Sequence, residues 1–148
     1  MSYLIDIMEC MANSDNVIRA GLTPKLRDIP NLISGLTYTA SLPSKHTVEP
    51  RPFRSSSKAT LLYDPPAPEF SVLQISMDAG TVETHVAIDG PSIAIVTEGA
   101  GTVEWCGDQQ SLDISKGSVF FVAAGQEIKM KAGAGSLTLF RAFVEGNL

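Results

Sequence analysis

Cysteine is scarce in this sequence. Cys10 and Cys106 are its only thiols and lie in different segments. Two widely separated thiols make no disulfide framework, and no Cys-x-x-Cys or Cys/His cluster offers a metal knot. Two reduced, mostly buried thiols in a cytoplasmic chain are the expectation. Positive charge is also thin, with 11 Lys and Arg against 16 Asp and Glu and a net charge of −5. No basic stripe or run is present, so nucleic acid is not an expected partner. Long apolar runs are missing: the longest, PSIAIVT, falls far short of a bilayer. The N-terminus has no cationic flank and no small-residue cleavage site, so neither a signal peptide nor a membrane partner is expected. No internal repeat and no low-complexity tract interrupts the chain.

What is present is an apolar fraction of 44% in 148 residues, enough for one core with an added arm. Residues 1–40 read as a strand, a polar loop and a helix. YLIDIMECM is apolar enough for a buried strand, ANSDN supplies turn formers, and RDIPNLISGLTY carries a helical pattern. Asp28 is placed to cap that helix, Pro30 sits in its first turn, and Ile29, Leu32, Ile33 and Leu36 share a face. Residues 41–56 read as a linker, rich in Pro and Ser and without either period. Residues 57–148 read as a β domain. FSVLQISM, VETHVAI, SIAIVTEG, GTVEWCG, QSLDIS, SVFFVAA, QEIKMKA and SLTLFRAFV are short strand-like runs parted by Gly, Asp or Ser. Eight such runs at a spacing of roughly ten residues predict a sandwich, barrel or jelly roll.

The segment DIMECMANSDNVIRAGLTPK, followed by LRDIPNLISGLTY and later by YDPPAPEFSVLQI, closely resembles the second signature of the type I phosphomannose isomerases, the zinc-dependent mannose-6-phosphate isomerases. The first motif is long and nearly ungapped. The resemblance runs from about Asp6 to the C-terminus, and the β-rich remainder follows the family in pattern more than in identity. It implies a mainly β fold: a cupin-like jelly roll over residues 57–148, preceded by the closing strand, active-site loop and helix of a catalytic cupin. The family's zinc-binding histidine stands in a His-Ala-Tyr segment just before the motif, where Ile5 and MSYLI stand here. Its Gln, His and Glu ligands lie further upstream still. The resemblance therefore implies zinc in the complete enzyme and none bound to this chain alone.

The family interconverts mannose 6-phosphate and fructose 6-phosphate through an enediol, a step that feeds GDP-mannose. Such chemistry needs a proton carrier between C1 and C2, help for the developing oxyanion and a cationic phosphate seat. Residue by residue, the motif assigns Arg19 and Glu9 as catalytic. Arg19 offers a planar fork for substrate oxygens, and Glu9 is a base or water-orienting carboxylate. Lys25 and Asp15 are assigned to substrate binding. Read without the motif, Asp15 is an Asx-turn former, and Arg19 and Lys25 are surface cations. Glu9, on an apolar run, needs a partner either way. The implied partner is a small sugar phosphate, together with self-association or pairing with a missing catalytic half. Without that half the chain is expected to be inactive. A non-catalytic cupin serving as a binding or scaffolding module is the alternative.

The two histidines invite a metal reading. His46 lies in the linker. His85 stands where a metal-binding cupin begins its His-x-His, but Ala87 follows two residues later. The second cupin signature would map onto GSVFFVAAGQEI, which keeps Gly117 and Gly125 but has Ala123 for its proline and Ile128 for its histidine. One remaining ligand holds metal poorly, so a structural jelly roll without metal is expected.

Overall fold

The computed structural model describes residues 7–13, 17–19, 21, 23–54 and 58–144. The chain divides into two units, one of residues 1–10 with 48–148 and one of residues 11–47.

The smaller unit carries one helix, α1 (Ile29–Gly35). Its start follows the sequence: the Asp28 carboxylate accepts from the backbone N–H of Asn31 at 3.2 Å, and Pro30 fills the first turn, where no donor is needed. It ends after seven residues because Leu36 turns to extended backbone. Ile29, Ile33 and Leu36 are about half exposed, so the apolar face read from the sequence has no buried member. A short 3-10 turn at Pro43–His46 follows.

The larger unit is one antiparallel sheet curled around one core. Its strands are β1 (Arg51–Pro52), β2 (Thr60–Tyr63), β3 (Ser71–Met77), β4 (Val82–His85), β5 (Ser92–Trp105), β6 (Gln110–Ser115), β7 (Val119–Val122) and β8 (Ile128–Phe143). The sheet order is β1-β2-β3-β8-β5-β6, with β4 also on β8 and β7 also on β5. Alternation decides what enters the core. Leu73, Ile75 and Met77 point inward from β3, Ala94, Val96 and Val103 from β5, and Met130, Leu137 and Leu139 from β8.

Several expectations change in detail. SIAIVTEG and GTVEWCG were expected as two strands across a tight turn. They are one strand, β5, bent by register shifts at Val96/Glu98 and Gly99/Gly101. QEIKMKA and SLTLFRAFV likewise run together as β8. Their glycines permit a bulge rather than a reversal. Within the stretch read as linker, Arg51–Pro52 pair with Leu62 and Leu61, and Phe53 is buried in the core. A proline is tolerated there because β1 is an edge strand. Of the strand read in YLIDIMECM, residues 3–6 lie outside the described residues and residues 7–11 carry no regular structure. An apolar run without a neighbouring strand has no ladder to join.

Candidate functional site

The motif residues fall on both units. Glu9 is exposed and belongs to the sheet-bearing unit. Arg19 is half-buried and Lys25 exposed, both in the unit of residues 11–47. The turn before α1 is fixed locally, with the Lys25 N–H donating to Thr23 Oγ1 at 3.2 Å. Asp15 lies outside the described residues. Beside Glu9, Met8 and Cys10 line an apolar pocket of about 320 Å³ with Tyr63, Phe70, Val72 and Phe140. Burial raises the Cys10 thiol above its ordinary pKa.

A second polar constellation lies inside the sheet. Thr60, Glu83, His85, Ser92 and Arg141 are all buried among apolar neighbours. Thr60 Oγ1 donates to Glu83 Oε1 at 2.8 Å and lies 3.0 Å from His85 Nε2. Arg141 Nη1 lies 3.2 Å from His85 Nδ1, and Arg141 Nε donates to Ser92 Oγ at 2.9 Å. A guanidinium only donates, so His85 Nδ1 must accept and the ring proton sits on Nε2. Nε2–H then donates to Thr60 Oγ1, whose own proton goes to Glu83. The result is a directed chain from cation to carboxylate, Arg141 to His85 to Thr60 to Glu83.

The electrostatics agree with this direction. Burial, then the charges of Arg141 and Arg54, push His85 down to about 3, so the ring is neutral at neutral pH. Burial, then Arg54, pushes Arg141 down to about 10, which leaves it cationic. Phe53 closes the site with edge contacts to His85 and Phe143 at centroid distances of 5.6 and 5.8 Å.

This arrangement commits the His85 lone pair to Arg141 rather than to a metal. Among the described residues no three of His, Cys, Asp and Glu converge to hold an ion, so the residues present do not fit a zinc centre. His46 is exposed and hydrogen-bonded to Ser41. Nor is any helix among the described residues long and apolar enough to cross a membrane.

Sequence reasoning weighed only His85 of this cluster. The signal for the rest was register. In β4 the inward positions are Glu83 and His85, and in β8 the inward series Leu137, Leu139, Arg141, Phe143 contains one arginine. A charged residue in the apolar phase of a strand marks a buried polar site.

The antiparallel sheet curled around an apolar core has the fold of a cupin-type jelly roll. A cupin-like protein from Thermotoga maritima superimposes with a TM-score of 0.52 at 16% identity, covering 61% of this chain and 71% of its own. Residues 60–109 match the family described as phosphomannose isomerase type I C-terminal. The mannose-6-phosphate isomerase of Cryptococcus neoformans is 48% identical over 95% of this chain and 32% of its own length. That of Saccharomyces cerevisiae is 46% identical over 96% of this chain and 33% of its own. A crystal structure of a variant phosphomannose isomerase from Salmonella typhimurium gives a TM-score of 0.72 at 27% identity, covering 91% of this chain and 32% of that one. Over nearly its whole length the chain is thus similar to the C-terminal part of the type I phosphomannose isomerases. It spans about a third of the length of the curated relatives it matches.

Proposed function

We propose that this chain supplies the closing loop and second jelly roll of a zinc-dependent mannose-6-phosphate isomerase, a cytoplasmic enzyme converting mannose 6-phosphate and fructose 6-phosphate on the way to GDP-mannose. One observation carries the reading: identity of 46–48% to enzymes of that name over nearly the whole chain. Bound zinc would polarise the sugar's carbonyl region, and its ligands belong to an upstream half. The chain's own contribution is charge and orientation. Arg19 offers a two-pronged donor to a substrate oxyanion or phosphate, Lys25 adds a second cation, Asp15 orients its neighbours, and Glu9 carries a proton or holds a water. The sugar phosphate is the small-molecule partner. The catalytic half is the macromolecular one, joined covalently or by pairing, and in its absence the chain self-associates.

The test joins the chain to the upstream two-thirds of the yeast relative, by fusion or by mixing, and follows isomerisation of mannose 6-phosphate. Arg19→Ala is expected to lose about 10²–10³-fold in rate, as on removal of a preorganised donor. Arg19→Lys keeps the charge without the fork and restores only part of the rate. Zinc content should equal the parent's in both variants, while the chain alone, dialysed against a weak chelator, should retain no stoichiometric zinc. Parental rates in both variants would remove Arg19 from the site. A folded fusion that binds sugar phosphate without turning it over would favour the binding-module alternative.

A further inference from the structure

Thr60 lies on β2, and Glu83 and His85 on β4. Among the described residues these two strands share no ladder, since β2 pairs with β1 and β3 while β4 pairs with β8. His85 and Arg141 are also joined by side chains alone, because β4 meets β8 at Ile128–Lys131, well before Arg141. Arg141 then reaches Ser92 at the start of β5. The buried chain therefore fastens β2 to β4, which share no ladder, and β4 to β8 beyond their ladder, while its last link to Ser92 runs between strands already paired. We propose that it is an acid-sensitive latch: proton uptake at His85 Nδ1 breaks the contact with Arg141 and releases β4, with its Thr60 link to β2, from β8 beyond the end of their ladder.

The geometry leaves a proton one place to go. Nε2 already carries its hydrogen toward Thr60, so an added proton lands on Nδ1, facing an Arg141 donor at 3.2 Å. Acceptor becomes donor, and two full positive charges meet inside the core. The groups facing the ring from each packed element are few. Arg141 comes from β8, Glu83 from β4 itself, and Arg54 from the turn after β1, where its Nη1 donates to the Ala87 carbonyl at 3.1 Å. β2 and β5 contribute the uncharged Thr60 and Ser92. Glu83 meets the chain at Thr60, on the Nε2 side of the ring, away from Nδ1.

The sign follows from linkage. His85 takes a proton less readily folded than unfolded. Its contribution is whole above the unfolded value near 6.5 and is lost as the pH falls toward 3. Within that window the folding equilibrium shifts by up to about tenfold per pH unit.

Long-range nitrogen–proton NMR on the full chain reads the ring directly. The expected spectrum has His85 with Nε2 protonated and Nδ1 bare, unchanged from pH 7.5 to 5. Urea unfolding at pH 6.5 and 5 then compares the parent with His85→Gln, which cannot titrate. The parent's folding constant should fall by about tenfold more than the variant's. A protonated Nδ1, a folded-state titration of His85 near its ordinary value, or parallel losses in parent and variant would overturn the latch. If His85→Gln does not fold, the ring resonances of the parent decide alone.

Discussion

Gly99 on β5 lies against the backbone of Ser136 on β8, so close that a Cβ at Gly99 would overlap the Ser136 carbonyl oxygen. Gly99 also adopts φ +78, and it stands at the bend that keeps β5 continuous.

Gly99→Ala is therefore expected to strain the dihedral and push two long strands apart. Gly107, at φ +65 with open space around it, isolates the dihedral cost. Gly107→Ala should cost about 1 kcal/mol. Gly99→Ala should cost a further 1–3 kcal/mol, roughly the range for overpacking. Urea unfolding of the two variants side by side measures the difference.

Arg141→Met removes a buried cation while keeping much of its stem volume. His85 then loses its repulsion from the guanidinium but not its burial, so its pKa should rise above about 3 and stay below 6.5. The gap between folded and unfolded values narrows, and stability should fall less steeply between pH 6.5 and 4 than in the parent. At neutral pH the variant should be less stable, because Ser92 and His85 each lose a buried partner at roughly 1–3 kcal/mol per unmet group. An NMR titration of the His85 ring and urea unfolding at two pH values check both signs.

The two thiols should separate kinetically. Cys106 is exposed, whereas Cys10 is half-buried against the pocket formed with Met8 and Phe140, with its thiol pKa raised by burial. Only the thiolate attacks a disulfide reagent. Modification of the native chain should show a fast thiol that disappears in Cys106→Ser and a slow one that remains. Equal rates for both would show that Cys10 is not sheltered.

Much of the sheet was legible because alternation is local. SVLQISM and QSLDIS read as strands and became β3 and β6, and Asp28 with Pro30 marked the start of α1. The bends were not legible, since a glycine between two apolar runs reads equally as a turn or a bulge. The choice is made by the facing strand, here by Ser136 opposite Gly99. The tether of Arg51–Pro52 and the burial of Phe53 were hidden for the same reason, because a Pro- and Ser-rich stretch gives no period and only β2 rescues it. At the site, the motif named Glu9, Asp15, Arg19 and Lys25 from sequence alone. The buried chain was missed because a histidine and an arginine 56 residues apart can each mark a buried polar position by phase, but nothing local pairs them until two registers bring them to 3.2 Å.

The order of manufacture matters for a sheet laid out this way. β8 is the hub, pairing with β3, β4 and β5, and every one of those strands precedes it in the chain. A ribosome making this protein therefore releases the apolar inward faces of β3 and β5 before the strand that covers them exists. Nascent chains must wait with those faces open, and closure comes in one late step when residues 128–143 emerge. Translational pauses or chaperone scarcity between the making of β3 and that of β8 should thus weigh more on yield than equal disturbances before β3 is made.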